Sequence, residues 1–384
     1  MSDPLGWITG IGQLPSAPRY VDFTYPELLS TVAADAIADA GFEEADVDGV
    51  VLSAAPDLLL GVNDPQNLAA LGLPAAPLLA RVNTAAGSGL SAVRLACAHV
   101  AARHCRNVLV AAADIGAQTT DHNRLIWTGL DALRERHVPM NGVSLFAFMS
   151  ALYMQLFDAT EAGLAAVTVK NRRNGVANRF AQLRSEVTLE DVLVSPLVAW
   201  PIRRAQIGPA GGGAAALVIS AEPGRNGRQV AVAGCASRAA AYSIGDRVAR
   251  DDPSFGYASE MSDAARTAYD MAGVTPSSID AAEVYASYPV GELISIEALG
   301  LCERGTGWRL LGSGRFDRAG STPVNLSGGA TCGNPLSTTA LNRVVEMTRQ
   351  IRGETVTGRP PALGVVNGFG GVSQLHEVMV LAAT

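Results

Sequence analysis

Lysine is almost absent from this chain. Of its 29 basic residues only Lys170 is a lysine, so Schiff-base chemistry has one candidate, and a solvated or phosphate-contacting role is the simpler reading. Acidic residues outnumber basic ones, 36 to 29, for a net charge of −7. No basic stripe is left to bind nucleic acid or an anionic membrane. The five cysteines are odd in number and form no C-x-x-C pair. That excludes a disulfide framework and a structural zinc site, and it points to a reducing, cytoplasmic compartment. The five histidines are scattered, and His376-Glu377-Val378 is not the start of an H-E-x-x-H motif, so no metal is expected. The N-terminus lacks a basic segment followed by an apolar one, and no apolar run reaches the ~18 residues needed to cross a bilayer. There is no phosphate loop and no G-x-S-x-G elbow, which sets aside nucleotide hydrolysis and an α/β-hydrolase.

What is present is a large apolar fraction, 48%, with 40 glycines in 384 residues. Short apolar runs alternate with Ala-rich helical stretches, the pattern of a mixed α/β fold with buried strands. The order of elements repeats. A helix ending at Ala40-Gly41 precedes Asp48 and the strand Gly49–Ser53, and a helix ending at Ala272-Gly273 precedes Asp280 and the strand from Ala281 to Tyr285. The Gly-to-Asp spacing is seven residues both times. Asn83 then leads into a helix from Ser88 to about His104 and a strand Asn107 to Ala113. Asn325 likewise leads into a helix from Leu336 to about Ile351 and a strand Ala362 to Val366. Duplication of one unit follows, with halves at 1–222 and 228–384 joined by the polar EPGRNGR segment. Residues 117 to about 205 have no counterpart in the second half. This insertion, with His122, Trp127, His137, Met140, Met149, Tyr153, Met154 and Trp200, is read as a cover or as a helical packing layer.

Five segments carry a resemblance: VNTAAGSGLSAVRLA, the long stretch from VTVKNRRNG to AALVIS, EVYASYPVGELISIEALGLCERG, VNLSGGATCGNP and GVVNGFGGVSQLH. Spread from about residue 6 to 382, they resemble the thiolase superfamily, most closely its sterol-carrier-protein-type branch of thiolase-like acyltransferases and side-chain aldolases. The resemblance implies a duplicated five-layered αβαβα thiolase fold with an inserted cover region. It also implies a coenzyme A thioester as substrate, no covalently bound cofactor, and usually a homodimer in which the edge strand around Asn107–Ala113 pairs or packs near the twofold axis. Relatives of this branch often work with a small protein that combines a zinc ribbon and an OB-fold.

The family's nucleophilic Cys opens the central helix in a Cys-x-Ser-Gly pattern, where the helix dipole and free N–H groups favour a thiolate. The matching segment is Ala86-Gly87-Ser88-Gly89, so Ala86 holds the nucleophile position. Two origins stay open: a natural member working without a thiol, or a Cys replaced by Ala to trap a complex. Ser88 reads as a helix cap rather than a substitute nucleophile. Tyr285 matches the histidine of the family's E-x-H-D segment. Asn334, in Gly333-Asn334-Pro335, matches the G-H-P histidine, and its amide donates to an oxyanion but cannot act as a base. The family's second Cys has no match in residues 367–371, which argues against ordinary thiolysis. Cys332 lies beside Asn334 with a catalytic or substrate-lining reading, whereas Cys97, Cys105, Cys235 and Cys302 read as packing. Arg203, Arg204, Lys170, Arg172 and Arg173 are candidates for the anionic end of coenzyme A.

Three functions follow. Acyl transfer would have Cys at position 86 with Tyr285 and Asn334 around it. A retro-aldol lyase would use Tyr285 and need no thiol. A catalytically silent thiolase-like subunit would bind or position a partner.

Overall fold

The computed structural model describes residues 3–53, 71, 78–116, 123–138, 140–224, 227–248, 253–355 and 359–384, so His122 lies outside the described residues. The first half contributes strands β1 (Trp7–Ala17), β2 (Gly49–Ser53), β3 (Leu78–Val82), β4 (Asn107–Ile115) and β7 (Gly212–Ser220). A small hairpin, β5 (Leu197–Ala199) with β6 (Ile202–Arg203), belongs to the insertion. The second half contributes β8 (Val230–Ala239), β9 (Ala281–Val284), β10 (Leu363–Gly370) and β11 (Leu375–Ala382). Their order is β3-β2-β4-β7-β1-β8-β11-β10-β9.

The duplication is explicit in the pairing. In the first half β2 runs parallel to β4, β4 antiparallel to β7, and β7 antiparallel to β1. In the second half β9, β10, β11 and β8 repeat that sequence of parallel, antiparallel and antiparallel pairs. Within the sheet, the strands of the two halves join through the antiparallel pair β1–β8, at Trp7 with Ala231 and Ile8 with Val230. Strands β2, β4 and β7 read as near-continuous apolar runs because both of their faces are buried.

Five layers result. The long helices used below are α1 (Tyr25–Ala40), α2 (Ser88–Ala101), α3 (Gly142–Phe157), α4 (Glu161–Gly175), α5 (Ser259–Ala272), α6 (Pro289–Ala298) and α7 (Thr339–Ile351). Helices α2 and α7 form the middle layer: Leu90, Val93, Leu341 and Val344 share one core with Val51, Val110, Val366 and Met379 from both sets of strands. Helix α1 covers the outer face of the first half through Leu28 and Val32 against Val50, Leu109 and Val218. Helix α5 covers the second through Met261 and Ala265 against Val284, Val378 and Val380. The two middle helices approach so closely at Gly89 that a Cβ there would sit 2.3 Å from the backbone nitrogen of Leu341.

The insertion supplies α3 and α4, whose Met149, Tyr153, Leu164 and Val167 pack with Val290 and Leu293 of α6. Met149 and Tyr153 are therefore core residues of a packing layer. Two expectations are corrected. Helix α7 starts at Thr339 rather than Leu336, because Ser337 and Thr338 are drawn to Asp114 at the end of β4. Strand β4 lies between β2 and β7, so the Asn107–Ala113 segment has no free edge to pair across a twofold axis. Among the described residues the edge strand of this half is β3, where Leu79 is 54% exposed.

Candidate functional site

Ala86 sits in the loop between β3 and α2. Ala85, just before it, has φ +53, a left-handed conformation that a residue with a Cβ adopts only when its surroundings enforce it. They do so through Ser88, whose Oγ accepts from Thr84 N at 2.8 Å and donates to the Ala85 carbonyl. Asn83 Oδ1 accepts from Ala85 N at 3.2 Å. Ser88 is thus not the helix cap that its sequence position suggested: the N-cap is Gly87, with no side-chain cap, and the Ser88 hydroxyl instead ties the loop ahead of the helix.

Across this loop lies the β10–β11 turn. A Cβ on Gly370 would lie within 1.9 Å of the Thr84 carbonyl oxygen, so only glycine lets the two segments meet. The neighbouring Phe369 ring packs edge-on against Tyr285, with 5.0 Å between centroids. Ala86 packs against the same apolar cluster that holds Tyr285 and Phe369.

Tyr285 follows β9 and is buried. Its backbone nitrogen donates to Asn367 Oδ1 at 3.1 Å, and its hydroxyl oxygen accepts from Ser287 Oγ at 3.1 Å. With Ser287 as donor, the phenolic proton stays available. Burial raises the Tyr285 pKa above the ordinary tyrosine value, while the Ser287 bond and the Arg343 charge pull against that rise. The side chain is therefore a protonated phenol at neutral pH.

Asn334 is joined to this region by residues 208–210. Gly208 N donates to Ser287 O at 2.9 Å, and Asn334 N donates to Pro209 O at 3.1 Å. The Asn334 amide lies 2.9 Å from Thr339 Oγ1, whose hydroxyl also faces the Pro335 carbonyl at 2.7 Å, and its NH2 group is the donor it can offer a substrate. Beyond it, Asp114 accepts from Ser337 Oγ and from the nitrogen and hydroxyl of Thr338. Burial pushes the Asp114 pKa up to about 7 against those hydrogen bonds.

Cys332 does not join this group. Its thiol donates to the Asn171 carbonyl at 3.3 Å, and a Cβ on Gly175 would lie 2.7 Å from its sulfur, so it is pressed against α4. Burial pushes its pKa up to about 12, which keeps it a protonated, inert thiol.

The expected cationic cradle is also corrected. Lys170 is only 3% exposed and pairs with Glu292 at 3.0 Å, with further bonds to Asn171 Oδ1 and Val324 O. Arg172 is buried and holds Ser185. Arg203 pairs with Glu161, and Arg173 with Asp317. Those charges are committed within the protein, Lys170 because a buried cation needs its counter-charge close by. Arg204 is exposed.

Residues that motif reasoning passed over complete the surroundings. Phe146 of α3 stacks on Tyr288 with centroids 4.4 Å apart and lies 6.0 Å from Phe369, forming an aromatic wall beside Tyr285. Asn367, which holds the Tyr285 backbone, stands in the Gly-rich segment that lacks the family's second Cys. Asp114 had a visible signal, an acid ending the apolar run VLVAAAD. Among the described residues no group of His, Cys, Asp and Glu is arranged to hold a metal ion. None of the described helices is long and apolar enough to cross a membrane.

Comparison with known proteins fits this architecture. The family model described as thiolase, N-terminal domain, matches residues 8–191, and the thiolase C-terminal domain-like model matches 243–383. Acetyl-CoA acetyltransferase of Methanothermobacter thermautotrophicus is 30% identical over 92% of this chain and 94% of its own length. Sterol carrier protein 2 of Rattus norvegicus is 29% identical over 67% of this chain and 49% of its own. The 17-hydroxy-3-oxo-4-pregnene-20-carboxyl-CoA lyase of Mycobacterium tuberculosis is 26% identical over 88% of both. Among solved structures, the Ltp2-ChsH2(DUF35) aldolase superposes with a TM-score of 0.85 at 23% identity, covering 99% of this chain and 98% of that one. The chain belongs to the thiolase superfamily, in its sterol-carrier-protein-type thiolase-like branch.

Proposed function

We propose that this protein makes or breaks a carbon–carbon bond beside the carbonyl of an acyl-CoA thioester. In the chain as it stands the reaction is retro-aldol cleavage of a β-hydroxyacyl-CoA, or its reverse. The observation that carries this reading is that Ala86 and Tyr285 belong to one apolar cluster. A methyl group occupies the nucleophile position, the other candidate thiol is sealed against α4, and a buried phenol with an available proton stands in the cluster that Ala86 packs against.

As the Cα–Cβ bond breaks, its electrons pass to the thioester enolate, whose oxygen accepts from the Asn334 amide. The Tyr285 phenol gives its proton to the α-carbon. The proton released by the β-hydroxyl, as that carbon becomes a carbonyl, restores the phenol. A raised tyrosine pKa suits this order, since the proton stays in place until the carbanion develops. The likeness to a carboxyl-CoA lyase supports the reading.

Acyl transfer through an enzyme thioester is the second reading. The likeness to an acetyl-CoA acetyltransferase and the enforced loop around position 86 support it, and it requires Cys there. The open β3 edge supports a homodimer. The aldolase neighbour, whose name carries a second component, supports a small zinc-ribbon and OB-fold partner. Five unpaired cysteines support a cytoplasmic location.

The test is turnover of a panel of β-hydroxyacyl-CoA thioesters, followed by mass spectrometry of the shortened thioester and the carbonyl product. Tyr285→Phe should lower kcat by about 10²–10⁴-fold while leaving the Kd for the thioester unchanged. Undiminished cleavage by Tyr285→Phe would end this reading.

A further inference from the structure

We infer that Glu377 is a positioning residue for the loop that presents residue 86, acting through a directed hydrogen-bond chain of Ser91 and Thr84. Glu377 lies on β11 and Ser91 in the first turn of α2, 286 residues apart in sequence, yet Ser91 Oγ donates to Glu377 Oε1 at 2.6 Å. Thr84 Oγ1 lies 2.8 Å from Ser91 Oγ. A hydroxyl has one proton, and that of Ser91 is committed to the carboxylate. The Thr84 hydroxyl must therefore be the donor to Ser91, and the chain runs one way, from Thr84 through Ser91 to Glu377.

The far end of this chain is held by charge. Arg94 Nε lies 3.2 Å from Glu377 Oε2, with the Arg94 side chain 44% exposed and that of Glu377 5%. A carboxylate sealed this deeply is costly to bury. Packing alone would favour an apolar side chain at this site, beside the buried Val378, Met379, Val380 and Leu381 of the same strand.

The near end is the enforced turn itself. Thr84 N donates to Ser88 Oγ, and the Thr84 carbonyl accepts from Gly87 N at 3.3 Å and faces Gly370. With its side chain pulled toward Ser91, Thr84 is fixed at three points. The left-handed Ala85 and residue 86 follow from that fixed start. The chain joins the second half of the duplication to the loop of the first, so the geometry of position 86 depends on both halves being docked.

This inference rests on the reading that residue 86 faces the reacting thioester. Its test probes the loop without turnover, so its failure would leave the acyl-CoA reading standing. Ala86→Cys provides the probe, and the rate of its alkylation by iodoacetamide at neutral pH, followed by intact mass, reads the local geometry. A thiol ahead of α2 is expected to titrate below the ordinary cysteine value. In this background Thr84→Val and Glu377→Gln should each slow alkylation about tenfold, equivalent to one pKa unit. Thr84→Ser, which keeps the hydroxyl, should retain the parent rate. Equal reactivity of Thr84→Val and Thr84→Ser would overturn the proposal. So would a Glu377→Gln protein whose Tm falls while its thiol reacts as before, the signature of simple core packing. Thr84 is only half-buried in a loop, so the comparison of its two variants can overturn the proposal even if Glu377→Gln fails to fold.

Discussion

Asp114 at the end of β4 accepts from Thr338 twice, from the backbone nitrogen at 3.0 Å and from the hydroxyl at 2.8 Å, and so sets where α7 begins. Its carboxylate is buried, and its pKa is raised from 3.8 to about 7. Between those values the native protein keeps a proton that the unfolded chain releases, so the contribution of this group to stability falls as pH rises through that window. Asp114→Asn preserves the shape and one acceptor but cannot ionise. Unfolding by urea from pH 5 to pH 8 should show a flatter profile in this variant than in the parent, by a few kcal/mol given ~1.4 kcal/mol per unit. Parallel profiles would show that Asp114 does not titrate in this range.

Gly89 is required by the approach of α2 to α7, because an added Cβ would lie 2.3 Å from Leu341 N and 2.8 Å from Leu341 Cα. Both contacts are to helix backbone, which cannot rotate away. Gly89→Ala should destabilise the protein by about 1–3 kcal/mol through overpacking, despite the better helix propensity of alanine. Denaturant unfolding with an unchanged m-value would register this as a lower midpoint. A variant as stable as the parent would mean that the middle layer is looser than these contacts require.

Among the described residues strand β3 pairs with β2 on one side only, and an exposed hydrophobic edge invites another strand. If that edge forms the dimer contact, Leu79→Asp should shift the sedimentation of the protein from dimer to monomer without altering its far-UV circular dichroism. Sedimentation unchanged by this charge would place the contact elsewhere or leave the protein a monomer.

Much of this architecture was legible from the residues, for a physical reason. Buried strands need uninterrupted apolar runs, so Gly49–Ser53, the strand beginning at Asn107 and the strand beginning at Ala281 showed themselves, and the repeated Gly-to-Asp spacing gave the duplication. Boundaries set by side chains from distant strands were not legible. Nothing local in Leu336-Ser337-Thr338 announces that Asp114 will delay the helix. The cationic residues misled for a related reason: the sequence gives a count of arginines, whereas the structure gives their partners. Lys170 with Glu292 and Arg203 with Glu161 spend their charge inside the protein. Similarly, the position of Cys332 in the loop suggested chemistry, but the direction of its thiol depends on Gly175, which is 157 residues earlier.

Ala86→Cys separates the two chemistries most cleanly. The turn before α2 is enforced by Ser88 and by the left-handed Ala85, so a thiol placed there inherits the orientation of the loop instead of having to create it. If the surrounding groups suit acyl transfer, this variant incubated with acyl-CoA thioesters should gain the mass of one acyl group, while the Ala86 protein binds the same thioester and gains none. Asn334→Ala in the same background should slow acylation by about 10²–10³-fold through loss of an oxyanion donor. Tyr285→Phe should leave acylation intact, because attack by a thiolate needs no phenolic proton. Should Ala86→Cys stay unmodified while the Ala86 protein cleaves a β-hydroxyacyl-CoA in a Tyr285-dependent way, the site is organised for proton transfer at carbon. The alanine would then be a working part of it, leaving room for the substrate where a thiolase keeps its sulfur.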